Sequence, residues 1–117
     1  MKPALEAGFA FLEISMERIA NRDASSYVRR RQEFEGGNLF GTCLGDRYVV
    51  YSYGEHWPMF VYADGTWFEN QDRYSRTTSK QKGQAHPGTD TIKLSTEQMV
   101  SIAQKGVVGH VVERMVA

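Results

Sequence analysis

The chain has 117 residues, of which 41% are hydrophobic and 24% charged, and its formal net charge at pH 7 is zero. A chain of this length and composition buries enough apolar surface to fold without disulfides or metals, which argues against wholesale disorder. Zero net charge excludes nucleic-acid binding through bulk charge, so any such binding must depend on a local basic patch. We therefore predict one folded domain spanning residues 1–117.

An amphipathic helix is predicted over residues 4–20, because apolar side chains recur there at steps of three and four. These apolar positions are Leu5, Phe9, Leu12, Met16 and Ile19. Glutamates interrupt the same segment, which excludes a signal peptide or a membrane span at this end. We expect a protein of the cytoplasm, without a membrane partner.

Residues 23–32 are ambiguous between a short helix and an entering strand. They contain a basic triplet, Arg29, Arg30 and Arg31. A run of like charges is most often a solvated face, and the functional alternative is contact with phosphate or with an acidic protein. The sequence leaves the role of this triplet open.

The middle of the chain has the pattern of an antiparallel sheet. A short strand is predicted at residues 39–44, between turn signals at Gly36-Gly37-Asn38 and Gly45-Asp46. The next strand, at residues 47–53, is rich in tyrosine and valine, which are residues that favour strands.

A tight hairpin is predicted at Asp64-Gly65. Strand-forming runs at residues 59–63 and 66–70 flank this dipeptide. Asp-Gly is typical of a two-residue type I′ turn, because aspartate tolerates positive φ and glycine adopts it freely. We expect no helix between Tyr48 and Phe68.

The C-terminal third is predicted to contain a long loop and a second helix. Residues 71–91 hold almost no apolar side chains, as in long loops that are usually functional or disordered. Ser95 and Gln98 have the spacing of a capping box, and Gly106 is a natural helix stop. Residues 107–116 fit a strand by propensity and a helix by spacing, and this choice stays open.

Together these patterns predict an α+β fold. It consists of a small antiparallel sheet of three or more strands, with an N-terminal and a C-terminal helix packed on one face.

No motif for a cofactor, a metal or catalysis is present in the sequence. The GxGxxG and P-loop spacings are absent, as are paired histidines. Cys43 is the single cysteine, and nothing in the sequence indicates that it is activated. His56 is the one candidate general base, with no visible catalytic partner. We predict no catalytic residue, no metal site and no cofactor.

Aromatic, hydroxyl and cationic side chains are interleaved between residues 53 and 82. Such a mixture suits phosphate oxygens or a polar protein surface. Aromatic and arginine side chains also dominate the binding energy of protein–protein interfaces. The predicted partner-binding residues are Tyr53, His56, Trp57, Arg73, Tyr74, Arg76, Lys80 and Lys82.

A string of distinctive residues runs through the same segment: Tyr51-Ser52-Tyr53-Gly54, His56-Trp57-Pro58-Met59, Trp67, Asn70, Asp72, Tyr74-Ser75, Thr77-Thr78-Ser79, Gln84 and Pro87. On this string, residues 47–100 resemble small, mostly uncharacterised accessory proteins of phages, plasmids and other bacterial mobile elements. The resemblance implies a non-enzymatic protein in the cytoplasm of a host bacterial cell. It would bind a host defence protein or ribonucleoprotein complex and block it, as an anti-CRISPR or anti-restriction inhibitor does.

Two other functions stay open at this point. A single-stranded nucleic-acid-binding module would use the same aromatic and basic residues, with bases stacked on tyrosine and tryptophan rings. A small enzyme would use His56. The oligomeric state is not indicated by the sequence.

Overall fold

A seven-stranded sheet and three helices make up the described part of the chain. The computed structural model describes residues 17–52, 57–72 and 76–116, with the backbone alone at residue 76 and from residue 108 onward. The strands are β1 (Glu17–Arg18), β2 (Phe34–Glu35), β3 (Leu39–Leu44), β4 (Arg47–Ser52), β5 (Trp57–Ala63), β6 (Thr66–Asn70) and β7 (Ile92–Leu94). The helices are α1 (Ala24–Arg29), α2 (Arg76–Ala85) and α3 (Thr96–Val116), and a 3-10 turn at Asn21–Asp23 precedes α1.

The strands lie side by side in chain order, from β1 to β7. The pairs from β2 to β6 are antiparallel, whereas β1–β2 and β6–β7 are parallel. Parallel neighbours need a crossover connection, and here α1 lies in the first connection and α2 in the second. The prediction of a sheet with three or more strands is confirmed, and the sheet is mixed rather than purely antiparallel.

The central hairpins form where the sequence predicts them. Asp64 and Gly65 connect β5 to β6 with φ angles of 54° and 74°. Both values lie in the left-handed region that a type I′ turn requires. Among the described residues between Tyr48 and Phe68 there is no helix, as expected.

Helices cover both faces of the sheet. Val50 of β4 packs in a core cluster with Val28 of α1, whereas its neighbour Val49 packs in a second cluster with Ile102 of α3. Successive side chains of a strand point to opposite faces. The helices α1 and α3 therefore lie on opposite faces. The predicted packing of an N-terminal and a C-terminal helix on one face is not confirmed, because the predicted N-terminal helix lies mostly outside the described residues.

The predicted helix at residues 4–20 lies mostly outside the described residues. Its last part is described and is not helical, because Glu17–Arg18 form strand β1 and the Ile19 amide donates to the Glu35 carbonyl at 2.9 Å. Ile19 still packs against the first core cluster. Apolar spacing thus continues to Ile19 while the backbone is already extended, and this part of the prediction is wrong.

Helix α2 lies within residues 71–91, where a loop was predicted. Its buried face consists of Thr78, Gln81 and Ala85, which recur at helical spacing. Gln81 accepts a hydrogen bond from the Ser52 hydroxyl at 2.7 Å and donates to the Asn38 carbonyl at 3.2 Å. The helix is therefore held to the sheet by buried polar contacts, which a search for apolar periodicity does not detect.

Helix α3 begins with the predicted capping box. The Gln98 amide donates to the Ser95 hydroxyl at 3.2 Å, and the Ser95 amide donates to the Gln98 side-chain oxygen at 2.9 Å. Gly106, predicted as the stop, has φ 78° and ψ 174°, and the backbone resumes a helix beyond it. The valine-rich tail is thus helical up to Val116. Among the described residues, no helix is both long and apolar enough to cross a membrane.

Aromatic side chains lie so close to Gly41 of β3 that a substitution there tests the packing of the core. A Cβ at this position would lie 2.7 Å from the ring of Phe34 and would also meet the Tyr48 phenol, whose hydroxyl donates to the Gln32 carbonyl at 2.8 Å. Gly41→Ala should lower the free energy of unfolding by about 1–3 kcal/mol through overpacking, measured by urea titration.

Gly83→Ala in α2 is the matched control. Nothing lies within 4 Å of a Cβ at Gly83. Alanine in a helix should raise the free energy of unfolding there by roughly 0.5–1 kcal/mol. Equal effects of the two substitutions would show that the space around Gly41 is not restricted as described.

Candidate partner-binding surface

The structure describes side chains at three of the eight predicted partner-binding positions. Trp57, Lys80 and Lys82 are described, and Arg76 is described in its backbone only. The other four predictions lie outside the described residues: Tyr53, His56, Arg73 and Tyr74.

Trp57 and Lys82 make contacts within the protein, and Lys80 is exposed on α2. The Trp57 side chain is 6% exposed and belongs to the first core cluster. The Lys82 ammonium lies 5.9 Å from the centre of its ring. It also donates to the Asn70 carbonyl and, at 3.1 Å, to the Asp72 carbonyl. Contact of Trp57 and Lys82 with a partner stays a prediction.

Hydrogen bonds around Asn70 connect β5, β6 and α3, and we name Asn70, Asp72, Lys82 and Thr96 the Asn70 junction. The Asn70 side chain is fully buried. Its amide nitrogen donates to the Pro58 carbonyl at 3.0 Å and to the Thr96 hydroxyl at 3.1 Å. Its side-chain oxygen accepts from the Asp72 amide at 2.9 Å, and Asp72 accepts from the Thr96 amide at 2.8 Å. The end of β6 is thereby attached to the first residue of α3.

The carboxylate of Asp72 is stabilised in its charged form. The backbone amide of Thr96 is the largest cause, and it holds the pKa of Asp72 below its ordinary value of 3.8. The Thr96 side chain and the charge of Lys82 act in the same direction. A lowered pKa in the folded state means that the charged form of Asp72 stabilises the fold.

Asp72→Asn should therefore lower stability in a pH-dependent way. The difference from wild type should be fully present above the ordinary value of 3.8 and should vanish as the pH falls through the lower pKa of folded Asp72. Thermal unfolding at about pH 6 and about pH 2 measures this difference. Asp90→Asn, at an exposed position, is the control. A difference that persists at the lower pH would contradict a role for the charge.

Three arginines line one concavity beside α1, and we name Arg22, Arg29 and Arg30 the arginine face. The concavity has a volume of about 470 Å³ and is also lined by Asp23, Ser25 and Ser26. Arg22 lies in the 3-10 turn and the other two lie at the end of α1. Arg29 follows Arg22 by seven residues, which is about two helical turns, and Arg30 is the next residue.

The end of α1 fixes the backbone that carries two of these arginines. The Arg31 amide donates to the Val28 carbonyl at 3.0 Å, and the Gln32 amide donates to the Tyr27 carbonyl at 2.9 Å. Arg31 has a φ angle of 54°. This pattern is a Schellman motif, which ends a helix with one left-handed residue.

Neutral groups orient Arg30 and Arg31. The Nε and Nη2 atoms of Arg30 donate to the Gln32 side-chain oxygen at 3.0 and 2.8 Å, and its guanidinium lies 5.3 Å from the centre of the Tyr27 ring. The guanidinium of Arg31 lies 4.3 Å from the centre of the Tyr62 ring. These contacts hold the side chains without neutralising their charge.

The backbone after α2 orients Arg29. A Cβ at Gly88 would lie 2.8 Å from the Nε atom of Arg29, so the guanidinium lies directly against this glycine. The segment is attached to α1, because the Ser25 hydroxyl donates to the His86 carbonyl at 2.6 Å. Gly88 has a φ angle of 79° and its amide donates to the His86 ring at 3.0 Å.

The arginine face differs from other arginines of the chain in its ion pairs. Arg18 lies 3.4 Å from the Glu35 carboxylate, and Arg47 lies 2.7 Å from that of Asp46. By contrast, no member of the arginine face forms an ion pair with a carboxylate of a described residue. One carboxylate, that of Asp23, lines the concavity beside the three guanidinium groups. The arginine face therefore has an excess of positive charge.

An acidic concavity adjoins the arginine face. It has a volume of about 270 Å³ and is lined by Glu17, Tyr27, Gln32 and Glu33. A hydrogen bond to Glu17 is the largest cause of the raised pKa of the Tyr27 phenol. The two concavities are neighbours, because Gln32 and Tyr27 line the second and both contact Arg30 of the first.

Aromatic rings of the sheet are largely buried. Tyr51, Trp57 and Trp67 are at most 8% exposed, and Tyr62 lies beneath Arg31. Trp67 packs edge-on against Tyr48 and Phe60, with ring centres 6.2 and 6.5 Å apart. Base stacking needs an accessible ring face. These described rings therefore do not form the stacking surface that was considered from the sequence.

Arg29 and Arg30 stand out in the sequence as part of a basic triplet, without an indicated role, whereas Arg22 and Gly88 carry no signal there. Arg22 is seven residues before Arg29, a helical spacing that would have joined them if residues 21–29 had been assigned as helical. The contact between Gly88 and Arg29 crosses 59 residues of chain and has no local signal.

No known protein family, no curated protein and no solved structure matches the chain. Within the described residues, no group of three or more histidine, cysteine, aspartate or glutamate side chains has the arrangement of a metal site. What bears on function is therefore the geometry of the arginine face.

Proposed function

We propose that the chain is a non-enzymatic accessory protein of a mobile genetic element, which binds a host defence complex and blocks it as an anti-CRISPR or anti-restriction inhibitor does. The observation that carries the proposal of binding is the arginine face, where three arginines line one concavity and none of them forms an ion pair with a described carboxylate. The biological setting rests on the resemblance of residues 47–100 to mobile-element proteins.

Physical chemistry favours such a surface for protein recognition. Arginine is over-represented among the residues that dominate interface binding energy, and its planar guanidinium matches carboxylates in a two-bond geometry. Contacts with Gln32, Tyr27 and Gly88 already restrict the side chains of Arg29 and Arg30 before binding. Because less side-chain freedom is then lost on association, more of the contact energy contributes to affinity.

Two observations weigh against a single-stranded nucleic-acid-binding module. The described tyrosine and tryptophan rings of the sheet are buried or lie against Arg31, so they offer no open stacking faces. The formal net charge is zero, and acidic Glu17 and Glu33 lie beside the arginine face. A protein partner is therefore the better-supported ligand.

The proposal is tested by phage plating on bacteria that carry an active CRISPR–Cas or restriction system. Expression of the chain should raise plating on such hosts and leave it unchanged on hosts without the system. The triple substitution Arg22→Gln, Arg29→Gln and Arg30→Gln should abolish the rise. One interface arginine is worth about 2 kcal/mol, or roughly 30-fold in Kd.

Arg18→Gln is the matched control. Arg18 is exposed and paired with Glu35, and a surface ion pair contributes only about 0–1 kcal/mol. This variant should plate like wild type. Lys80→Ala tests the exposed member of the loop surface predicted from the sequence, and it should weaken inhibition if that surface also contacts the partner.

Unchanged plating in the presence of the wild-type chain, across hosts with either defence system, would refute the inhibitor proposal. Inhibition without stable association between the chain and the defence complex would favour an enzyme instead. Full activity of the folded triple variant would remove the arginine face from the proposal.

A further inference from the structure

We infer that the arginine face docks a carboxylate-bearing segment of the partner protein, and that the adjoining acidic concavity receives a cationic side chain of the same segment. This inference rests on the proposed function and specifies the chemistry of the partner. The surface recognised would carry clustered aspartate or glutamate residues followed by lysine or arginine.

The excess positive charge points to an anionic group. Three arginines line one open concavity of about 470 Å³, with Asp23 as the one acidic residue among its lining residues. Ser25 and Ser26 already donate their hydroxyl protons to backbone carbonyls. The guanidinium groups are therefore the donors that this concavity offers to a ligand, and carboxylates are matched partners for them.

The acidic concavity decides between a protein and a nucleic acid. A nucleic-acid backbone is uniformly negative, with one charge per about 1.7 Å of duplex axis. Gln32 lines the acidic concavity and accepts a hydrogen bond from Arg30. A nucleic-acid strand long enough to contact the arginine face would therefore pass close to Glu17 and Glu33. Like charges brought together across an interface lower affinity. A protein segment can place opposite charges over both concavities.

Tyr27 marks the border between the two concavities. Its ring lies beside the guanidinium of Arg30, and Tyr27 also lines the acidic concavity together with Glu17. Tyrosine is enriched at protein interfaces because it combines a large apolar surface with a polar end. Side-by-side charges of opposite sign then fix the orientation of the bound segment, since reversal would pair like charges.

Gly88 provides a positioning test that removes no charge. Alanine at this position would displace the Arg29 guanidinium, because its Cβ would lie within 2.9 Å of three guanidinium atoms. Gly88→Ala should therefore weaken binding and shift the Arg29 Nε–Hε resonance. Gly45→Ala also places alanine at a positive φ, 63°, but with open space around its Cβ; it is the matched control and should change neither.

The experiment is an NMR titration of the full chain with three defined probes. The first is a synthetic peptide with a block of glutamates, two glycines and a block of lysines; the second is the glutamate block alone; the third is an oligothymidylate with the same number of negative charges. Arginine Nε–Hε resonances report where each probe binds, and the titration gives its Kd.

The mixed peptide should bind most tightly and shift the resonances of Arg22, Arg29 and Arg30, while those of Arg18 and Arg47 stay in place. The triple substitution Arg22→Gln, Arg29→Gln and Arg30→Gln should weaken its binding at least about tenfold, or 1.4 kcal/mol. Glu17→Gln with Glu33→Gln should weaken binding of the mixed peptide and not of the glutamate block. If Gly88→Ala does not fold, Arg29→Gln takes its place as the test of Arg29, and it should weaken binding of the mixed peptide.

Tighter binding of the oligothymidylate would overturn the inference in favour of nucleic acid. Equal affinities for the mixed peptide and the glutamate block would overturn the role of the acidic concavity. Absence of selective shifts at the arginine face would overturn the site itself. Phage plating separates these failures from failure of the proposed function, because inhibition that persists without peptide binding leaves the inhibitor proposal standing.

Discussion

The buried side chain of Asn70 is the constraint on which the arrangement of the helices depends. A buried amide left unpaired costs about 1–3 kcal/mol. The Asn70 side chain forms hydrogen bonds with Pro58 of β5, Thr96 of α3 and the backbone amide of Asp72. The backbone carbonyl of Asn70 also accepts a hydrogen bond from Lys82 of α2. Two helices are thereby attached to the end of β6. Helix α2 in turn contacts α1 and the 3-10 turn, so the Asn70 junction also supports the segment that carries the arginine face.

The elements that could be predicted have signals within a few residues of chain. The type I′ turn at Asp64-Gly65 needs positive φ at two adjacent residues, and the pair Ser95 and Gln98 makes reciprocal hydrogen bonds across one helical turn. Strand β4 is rich in tyrosine and valine, which favour extended backbone. In each case the chemistry that stabilises the element is local, so it can be read before the tertiary structure is known.

The elements that could not be predicted are stabilised by distant partners. Helix α2 buries Thr78 and Gln81 instead of an apolar stripe, and Gln81 is satisfied by Ser52 and Asn38, which are 29 and 43 residues away. Strands β1, β2 and β7 have two or three residues each and owe their conformation to their neighbours. The arginine face has the same origin, because Arg29 is positioned by Gly88 from beyond α2. Whether an arginine is paired with a carboxylate depends on the folded structure. A count of charges along the chain therefore does not reveal the arginine face.

We propose that the arginine face keeps its charge available for carboxylates of a partner protein. A structure of the chain bound to the proposed defence complex, determined by electron cryo-microscopy, would show whether it does. We predict partner carboxylates within about 4 Å of Arg22, Arg29 and Arg30, and a partner cation beside Glu17 or Glu33. A complex in which these arginines face solvent, or contact only phosphates of a nucleic-acid component, would contradict the account.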